Sequence, residues 1–425
     1  MLTKTISLVI LFCLLIIYFT PSNIFDGKYF DANASTPMCF PAMIAYMKNA
    51  KIGNPSAYYA TKAKLAIKQC EEVICHSLNI CKQDYSIIFN SGASESNNFI
   101  FRSLVHNSKP HYVLGEIEHK TSLECVKHLA KHGYISYTLV KPDKKGVITT
   151  EAILKAIQSD TVLVSVMHAN NETGILNPIK KISEALSVIP NAPYFHSDVV
   201  QTFGKLKIPM KFIDAISVSA HKFHGALGCG LLVISKRMTA KLDSCEQISG
   251  SQFDSLRGGT ENIPGIMAMT AAINYVWYNR ESKNEKLLYL RNSILFRLEK
   301  YFDIQYFSQY NTNALINKPT IVVITDCKNS IPNTLLLSFL NLSKEAEFCN
   351  VRFRKQLFEK GYIVSISSAC NTSSSAPSHV LQAMNLEKKI RSGVIRISLC
   401  DYHTRFDVYR LCQAIINTYT KNKIV

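Results

Sequence analysis

The sequence lacks the cysteine patterns of metal-binding and disulfide-rich proteins. Its 13 cysteines are an odd number, and they form no CxxC pair and no cysteine–histidine ligand spacing. Neither a metal site nor a disulfide framework is therefore expected. Cys70, Cys75 and Cys81 lie close together, but their spacing favours packing along a helix. Because free cysteine is usually a small buried side chain, we expect a protein of a reducing compartment, the cytoplasm.

Acidic residues are scarce, and the basic excess has no dense cluster. Asp and Glu number 31 against 48 Lys and Arg, which gives a formal net charge of +17. The densest basic groups, residues 141–145 and 388–391, are too short for the stripe that a nucleic-acid interface needs. Nucleic-acid binding is therefore not expected. The charge instead indicates an anionic ligand, an acidic partner or an anionic surface, or serves solubility alone.

The chain has no internal repeat, no low-complexity linker and no apolar run long enough to cross a bilayer untilted. The apolar segment Thr5–Thr20 would form a helix of about 24 Å, whereas the hydrocarbon core is about 30 Å thick. Residues 5–20 fit a membrane anchor, the apolar part of a signal peptide or an extension that is not retained. Export would place a cysteine-rich body in an oxidising space, which argues against the signal peptide.

Short apolar runs alternate with helical patterns from Tyr29 onward. This alternation predicts an α/β fold with a mostly parallel sheet covered on both faces. The later segments Pro319–Ile324, Asn333–Leu340 and Arg352–Lys360 read as strand, helix and helix of a second, α+β unit. A long helix near Gly265–Lys300 would join the units. The predicted strands of the first unit are Ser86–Phe89, His111–Leu114, Thr161–Val166, Tyr194–Asp198, Ala215–Ser219 and Gly230–Ile234.

Three polar motifs follow predicted strands directly. Asn90–Asn97 is rich in small residues and opens a helix, so its backbone N–H groups can bind an anion, although an ordinary capped helix start explains the same residues. Asp198 ends a strand, where a carboxylate can cap a helix, bind a metal or pair with a protonated ring nitrogen. Lys222, flanked by hydroxyl and imidazole groups, can form a Schiff base if its pKa is lowered. Ser219 and Lys222 match an acyl-enzyme S-x-x-K pattern, but its companion motifs are absent. Together the motifs indicate a cofactor site in the crevice of an open sheet.

In series, these motifs resemble the class-V aminotransferase family of fold-type I pyridoxal-phosphate enzymes, and within it the NifS-like cysteine desulfurases. The similarity runs from about Tyr29 to near the C-terminus. It is carried by Tyr29–Pro37, Gly53–Ser56, Ser91–Asn98, Glu118–Lys120, His168–Gly174, Asp198–Gln201, Ser219–Lys222, Arg257–Asn262, Ser368–Cys370 and Ile395–Leu399.

The resemblance implies a domain organisation. A large domain with a seven-stranded, mostly parallel sheet between helices would bind pyridoxal phosphate, and a smaller α+β domain would carry the catalytic cysteine loop. The implied divisions are a hydrophobic segment, an arm joining the small domain, the large domain and the small domain, at residues 1–21, 22–42, 43–285 and 286–425.

The resemblance also implies a role for each site residue. Lys222 would hold the cofactor as an aldimine, and Asp198 would pair with its ring nitrogen so that the ring accepts electrons. Arg396 would bind the substrate carboxylate, the partner that a buried cation needs. The remaining roles are ring stacking by His119, binding of the phenolic oxygen by Gln201 and Asn171, and phosphate binding by Ala93, Ser94, Ser219, His221 and, from the other subunit of a homodimer, Thr260.

Cys370 separates the desulfurases from aminotransferases of the same fold. It lies in the small, polar stretch Ser365–Pro377, where a mobile thiolate can attack the substrate's sulfur. The implied reaction converts L-cysteine to L-alanine and leaves a persulfide on Cys370 for an acceptor in iron–sulfur cluster assembly or thiolation. Two alternatives stay open: a selenocysteine lyase or another β-eliminating enzyme, and a catalytically weak scaffold or partner-binding relative.

Overall fold

Seven strands form the larger of two sheets in the computed structural model. The structure describes residues 27–422 except 52–53, 56–60, 106–108, 243–246, 248–251, 311–317, 341–347 and 367–377. The strands are β1 (Tyr85–Asn90), β2 (His111–Gly115), β3 (Ser136–Val140), β4 (Thr161–Ser165), β5 (Tyr194–Asp198), β6 (Ala215–Ser219) and β7 (Gly230–Ser235). They lie in the order β1-β7-β6-β5-β4-β2-β3, and β7 runs antiparallel to both of its neighbours while the other pairs are parallel. The predicted mostly parallel, seven-stranded sheet is confirmed.

Helices cover both faces of this sheet. Apolar side chains pack against one face around Val113, Val164 and Ile216 and against the other around Tyr112 and Leu232. Two buried faces explain why the strands read as continuous apolar runs rather than alternating ones. The helices of this part are α1 (Phe40–Asn49), α2 (Thr61–Leu78), α3 (Ala93–Ser103), α4 (Lys120–Lys131), α5 (Thr150–Ala156), α6 (Ile179–Ser187), α7 (Lys236–Thr239) and α8 (Ile263–Trp277).

The second sheet has four strands in the order β11-β10-β9-β8. They are β8 (Asp303–Tyr306), β9 (Thr320–Val323), β10 (Thr334–Leu340) and β11 (Val394–Ser398). The prediction of a helix at Asn333–Leu340 is wrong, because Thr334–Leu340 forms β10, a central strand that is buried at every position. A short apolar run without alternation gives no periodicity that distinguishes such a strand from a buried helix.

The helices around the second sheet begin with α9 (Arg280–Leu298). The helical segment predicted near Gly265–Lys300 consists of two helices, because α8 ends at Trp277 and Asn279 takes a left-handed conformation with φ 55° before α9 begins. Asparagine is among the residues that adopt this conformation at low cost. The remaining helices are α10 (Asn350–Glu359), α11 (His379–Ala383), α12 (Lys388–Arg391) and α13 (Arg405–Asn422).

An N-terminal arm connects the two sheets. Phe30 N–H donates to Ile363 O and Ala32 N–H to Ser398 O, so the arm adds to the edge formed by β11. A few residues later Thr36 N–H donates to His221 O, at the end of β6. Residues 30–36 therefore contact both parts of the molecule. The boundaries 1–21, 22–42, 43–285 and 286–425 stay a prediction.

Among the residues that the structure describes, no helix is both long and apolar enough to cross a membrane. The apolar segment at residues 5–20 lies outside the described residues. The ten described cysteines are all free thiols.

Candidate active site

A cavity of about 310 Å³ lies at the edge of the large sheet where the parallel strands end. Crevices at this edge are where open α/β sheets bind ligands. Ten of the eleven predicted site residues that the structure describes line it: Ala93, Ser94, His119, Asn171, Asp198, Gln201, Ser219, His221, Lys222 and Arg396. Residues separated by up to 300 positions in the sequence therefore meet in one place.

Lys222 projects into the cavity from a single 3₁₀ turn, Ala220–Lys222, directly after β6. Its Nζ donates to the backbone oxygens of Asn33 and Ala34, at 2.7 and 2.8 Å. Burial, reinforced by the guanidinium of Arg396, lowers the pKa of Lys222 to about 8. Because both partners are neutral carbonyls, the neutral amine is reached close to physiological pH, as a lysine that attacks a carbonyl group requires.

Asp198 ends β5 and is 6% exposed. Its carboxylate is held on both oxygens: Oδ2 accepts from Asn97 Nδ2 at 3.1 Å, and Oδ1 accepts from the backbone N–H of Val200 at 3.0 Å. Two donors fix the carboxylate plane at the cavity wall. A buried carboxylate in this position is suited to pair with a protonated ring nitrogen.

The first turn of α3 forms one end of the cavity, through Ala93 and Ser94. Gly92 precedes the helix with φ 144°, and the N–H of Ala93 donates to Ser219 Oγ at 2.8 Å, which ties the helix start to the end of β6. A Cβ on Gly230 would lie 2.5 Å from Gly92 Cα and from Val218 O. Because residue 230 is glycine, β7 can pack directly against the turn at Gly92 that precedes α3. The N-terminus of a helix such as α3 is a favourable place for a phosphate.

Two histidines flank Lys222 in the cavity wall. His119 caps α4, its Nδ1 accepts from the N–H of Thr121 at 3.3 Å, and burial lowers its pKa. The Nδ1 of His221 lies 3.1 Å from Ser35 Oγ, and burial together with the neighbouring charge of Lys222 lowers the pKa of His221 to about 4. Both rings are therefore neutral near pH 7.

Arg396, in β11, is 1% exposed and already has an acidic partner. Its Nη2 donates to Asp31 Oδ1 at 2.6 Å, and its Nη1 donates to Asn171 O at 2.8 Å. The buried cation therefore has a partner within the chain, which the sequence did not reveal, and its binding of a substrate carboxylate stays a prediction. Asp31 lies in the motif Tyr29–Pro37, but its distance of 365 positions from Arg396 left no sign of the pair in the sequence.

Asn33 is a further functional residue that sequence reasoning missed. Its backbone oxygen accepts from Lys222 Nζ and from Gln201 Nε2, at 2.7 and 3.1 Å. Its side chain exchanges hydrogen bonds with Thr334 in the second sheet and donates to Asn171 O. Asn33 therefore holds residues from both sheets around the cavity.

Two further cavity residues, Glu172 and His379, had no predicted role. Glu172 is 1% exposed, its Oε2 accepts from Ser378 Oγ at 2.6 Å, and burial raises its pKa. His379 begins α11, and its Nε2 lies 2.9 Å from Glu118 O. No predicted strand ends directly before His379, so the signal used for the other motifs was absent.

Two predicted site residues remain, Thr260 and Cys370. Thr260 is exposed and does not line the cavity; its hydroxyl lies 3.5 Å from Asn54 Nδ2. Cys370 lies in the segment 367–377, which is outside the described residues. Ser365, which pairs with Arg396 of β11, comes before this segment, and Ser378, directly before α11, comes after it. The roles of Thr260 and Cys370 therefore stay predictions.

The cavity residues fit pyridoxal phosphate. A lysine of lowered pKa, a buried carboxylate and a helix N-terminus match its aldehyde, ring nitrogen and phosphate in turn. Gln201 Oε1 is buried and has no hydrogen-bond partner among the described residues, which leaves an acceptor for a ligand. The cavity volume is within the usual range for small-molecule sites.

The chain is similar to known proteins over most of its length. Residues 28–411 match the family model for aminotransferase class-V. Cysteine desulfurase IscS of Dictyoglomus turgidum is 33% identical over 390 residues, 89% of this chain and 91% of the relative, and that of Methanosarcina thermophila is 32% identical over 397 residues, 91% and 90%. A solved NifS-like protein superposes with a TM-score of 0.80 at 29% identity, covering 92% of this chain and 99% of that one. A structure of SspA in complex with cysteine gives 0.71 at 28% identity, covering 89% and 100%. The chain thus belongs to the class-V aminotransferase family and, within it, to the NifS-like cysteine desulfurases.

Proposed function

We propose that this protein converts L-cysteine to L-alanine with pyridoxal phosphate as cofactor and Cys370 as the sulfur acceptor. The observation that carries the proposal is the convergence of Lys222, Asp198 and Arg396 on one cavity, in a chain whose relatives are cysteine desulfurases. The sulfur would then pass from Cys370 to an acceptor protein for iron–sulfur cluster assembly or thiolation.

The cofactor would be held by residues from three elements. Lys222 would bind its aldehyde, Asp198 would hold the proton of its ring nitrogen, and the first turn of α3 with Ser219 and His221 would bind its phosphate. When bound, the cofactor supplies a conjugated ring that takes up the electron pair left at the substrate's α-carbon. The side chain of His119 would cover one ring face, and Gln201 with Asn171 would contact the phenolic oxygen.

Arg396 would bind the carboxylate of the amino-acid substrate. Its Nη1 and Nη2 already have oxygen partners, while Nε is buried with none among the described residues. The substrate carboxylate would therefore use Nε together with one of the terminal nitrogens and share the guanidinium with Asp31. The planar fork of arginine suits such divided binding.

Cys370 would take the sulfur in a step that needs no external oxidant. Its Sγ forms a bond to the sulfur of the substrate while the substrate's carbon–sulfur bond breaks. The two thiol hydrogens end on the methyl group of alanine and on the terminal sulfur of the persulfide. Lys222, as a neutral amine after the substrate has taken its place, would carry the α-proton, because its pKa is lowered to about 8.

We infer that the active form is a homodimer in which Thr260 of one subunit completes the phosphate site of the other. The exposure of Thr260, away from the cavity of its own chain, supports this inference. Mixing a K222A subunit with a T260A subunit tests it. If the site is shared, one of the two sites of each mixed dimer combines Lys222 of the T260A subunit with Thr260 of the K222A subunit, and activity returns at that site. The free state of the ten described cysteines supports a reducing compartment.

The experiment that tests the function uses the full chain with pyridoxal phosphate, L-cysteine and a reductant. We expect equal amounts of alanine and sulfide. The variant C370A should bind the cofactor and release neither product, and the matched control C349A should behave as wild type, since Cys349 is an exposed free thiol away from the cavity. Wild-type protein that binds the cofactor but makes no alanine would favour the scaffold alternative.

A further inference from the structure

Four residues that line the cavity have a buried polar atom without a hydrogen-bond partner among the described residues. Gln201 and Arg396 are assigned to the cofactor and to the substrate carboxylate above, which leaves Oε1 of Glu172 and Nδ1 of His379 without a role. Leaving a buried polar atom unpaired costs about 1–3 kcal/mol. In residues that line a ligand cavity, such unpaired atoms suit hydrogen bonds to a bound ligand.

The unpaired atom of His379 is a hydrogen-bond acceptor. The other ring nitrogen, Nε2, lies 2.9 Å from the backbone oxygen of Glu118, which can only accept, so Nε2 carries the proton. In the neutral ring Nδ1 then has a free lone pair. The bond to Glu118 also fixes the ring orientation, so this lone pair has a fixed place in the cavity wall.

The unpaired atom of Glu172 has the complementary character. Ser378 Oγ accepts from the N–H of Leu381 and gives its hydroxyl hydrogen to Glu172 Oε2 at 2.6 Å. Burial raises the pKa of Glu172 and favours the protonated carboxyl group. Because Oε2 is an acceptor, the proton belongs on Oε1, which makes Oε1–H a donor.

The other polar groups of the substrate and cofactor have matching groups elsewhere in the cavity. Arg396 fits the substrate carboxylate, Lys222 marks the place of its amino group, and the start of α3 fits the phosphate. The group of cysteine that remains is its thiol, which has one S–H donor and a sulfur acceptor.

We propose that Glu172 and His379 form the subsite for the substrate's side chain, in which the thiol S–H donates to His379 Nδ1 and the sulfur accepts from Glu172 Oε1–H. The proposal deepens the desulfurase function and rests on it. It makes His379 a residue that determines specificity for a protonated thiol.

The pairing discriminates among related amino acids. Selenols are stronger acids than thiols, so selenocysteine enters as an anion that cannot donate to Nδ1. The methyl group of alanine can pair with neither atom, which favours release of the product. Sites built to bind a polar group reject analogues that lack it.

Two substitutions at His379 distinguish the role of the acceptor Nδ1 from that of the hydrogen bond between Nε2 and Glu118 O, which orients the ring. H379N places an amide oxygen close to the position of Nδ1 and loses the bond to Glu118, whereas H379Q keeps a donor for Glu118 O and loses the acceptor. H128Q is the matched control, because His128 lies exposed on α4. The full-length holoenzyme is assayed with L-cysteine and with L-selenocysteine, and its cofactor absorbance is recorded first.

We expect H379Q to lower kcat/KM for cysteine about tenfold or more, mainly through KM, and to leave that for selenocysteine within about twofold. H379N should retain more of the preference for cysteine than H379Q. An equal loss on both substrates, or an unchanged ratio, would overturn the subsite. A wild-type enzyme that makes no alanine from cysteine would instead contradict the proposed function itself.

Discussion

The guanidinium of Arg396 and the carboxylate of Asp31 form an ion pair, with 2.6 Å between Nη2 and Oδ1. Asp31 lies in the N-terminal arm and Arg396 in the central part of β11, so the pair joins the two ends of the chain at the cavity. Because the arginine side chain is almost fully buried, the stabilisation of its positive charge in the absence of substrate depends on Asp31.

The first prediction concerns this ion pair. D31N keeps the shape of the side chain but removes the charge that faces Arg396, and we expect the free energy of unfolding to fall by about 3 kcal/mol. The midpoint of urea unfolding measures the change. D303N is a matched control, since Asp303 is exposed, and an equal effect of both variants would contradict the prediction.

The second prediction concerns cofactor binding by Lys222. K222A should lose the visible absorbance of bound pyridoxal phosphate and all alanine formation, because no other described amine replaces Nζ in its contacts with Asn33 and Ala34. K241A, at an exposed lysine, should keep both signals. A K222A protein that retains the absorbance would show that the cofactor assignment is wrong.

The third prediction concerns pH. The pKa of Lys222 is lowered to about 8, and only the neutral amine attacks an aldehyde. The rate at which the apo-protein takes up pyridoxal phosphate should therefore rise about tenfold per pH unit below pH 8 and level off above it. Stopped-flow absorbance measures this rate. A rate that keeps rising up to about pH 10 would mean that the amine has the ordinary pKa of a lysine.

The fourth prediction concerns Asp198. D198N can keep the bond from Val200 N–H but loses the negative charge, and we expect kcat to fall by about 10²-fold while the cofactor stays bound. Steady-state kinetics and the cofactor absorbance are measured on the same sample. A kcat within about twofold of wild type would contradict the pairing of Asp198 with the ring nitrogen.

The fifth prediction concerns the contact between β7 and the start of α3. In G230A the added Cβ meets Gly92 Cα and Val218 O at 2.5 Å, so the helix start must shift. We expect the Kd of pyridoxal phosphate to rise about tenfold. G133A is the control, because a Cβ at Gly133 meets nothing within 4 Å and that residue, although in a positive-φ conformation, is far from the cavity.

Six of the seven strands of the large sheet could be predicted from local sequence patterns, whereas β3 was not among the predicted strands. The start of α3, Asp198 and Lys222 carry local signals, but the roles of the other cavity residues were implied by the family resemblance alone. Apolar strands such as Ala215–Ser219 are local signals, and Lys222 and Asp198 follow such strands directly. Asp31 and Asn33 could not be predicted, because their partners in the second sheet are 300 positions or more away. The sequence predicts a helix where the strand Thr334–Leu340 lies, because burial on both faces removes the alternation that identifies a strand.

The arm also sets an order of events during synthesis. Its partners Ile363 and Ser398 leave the ribosome only after almost the whole chain has been made. Until then Asn33 cannot be held between Thr334 and Lys222, and nascent chains that already contain the seven-stranded sheet still lack a finished cavity. The cavity therefore reaches its final form only after β11 has been made and the arm has paired beside it.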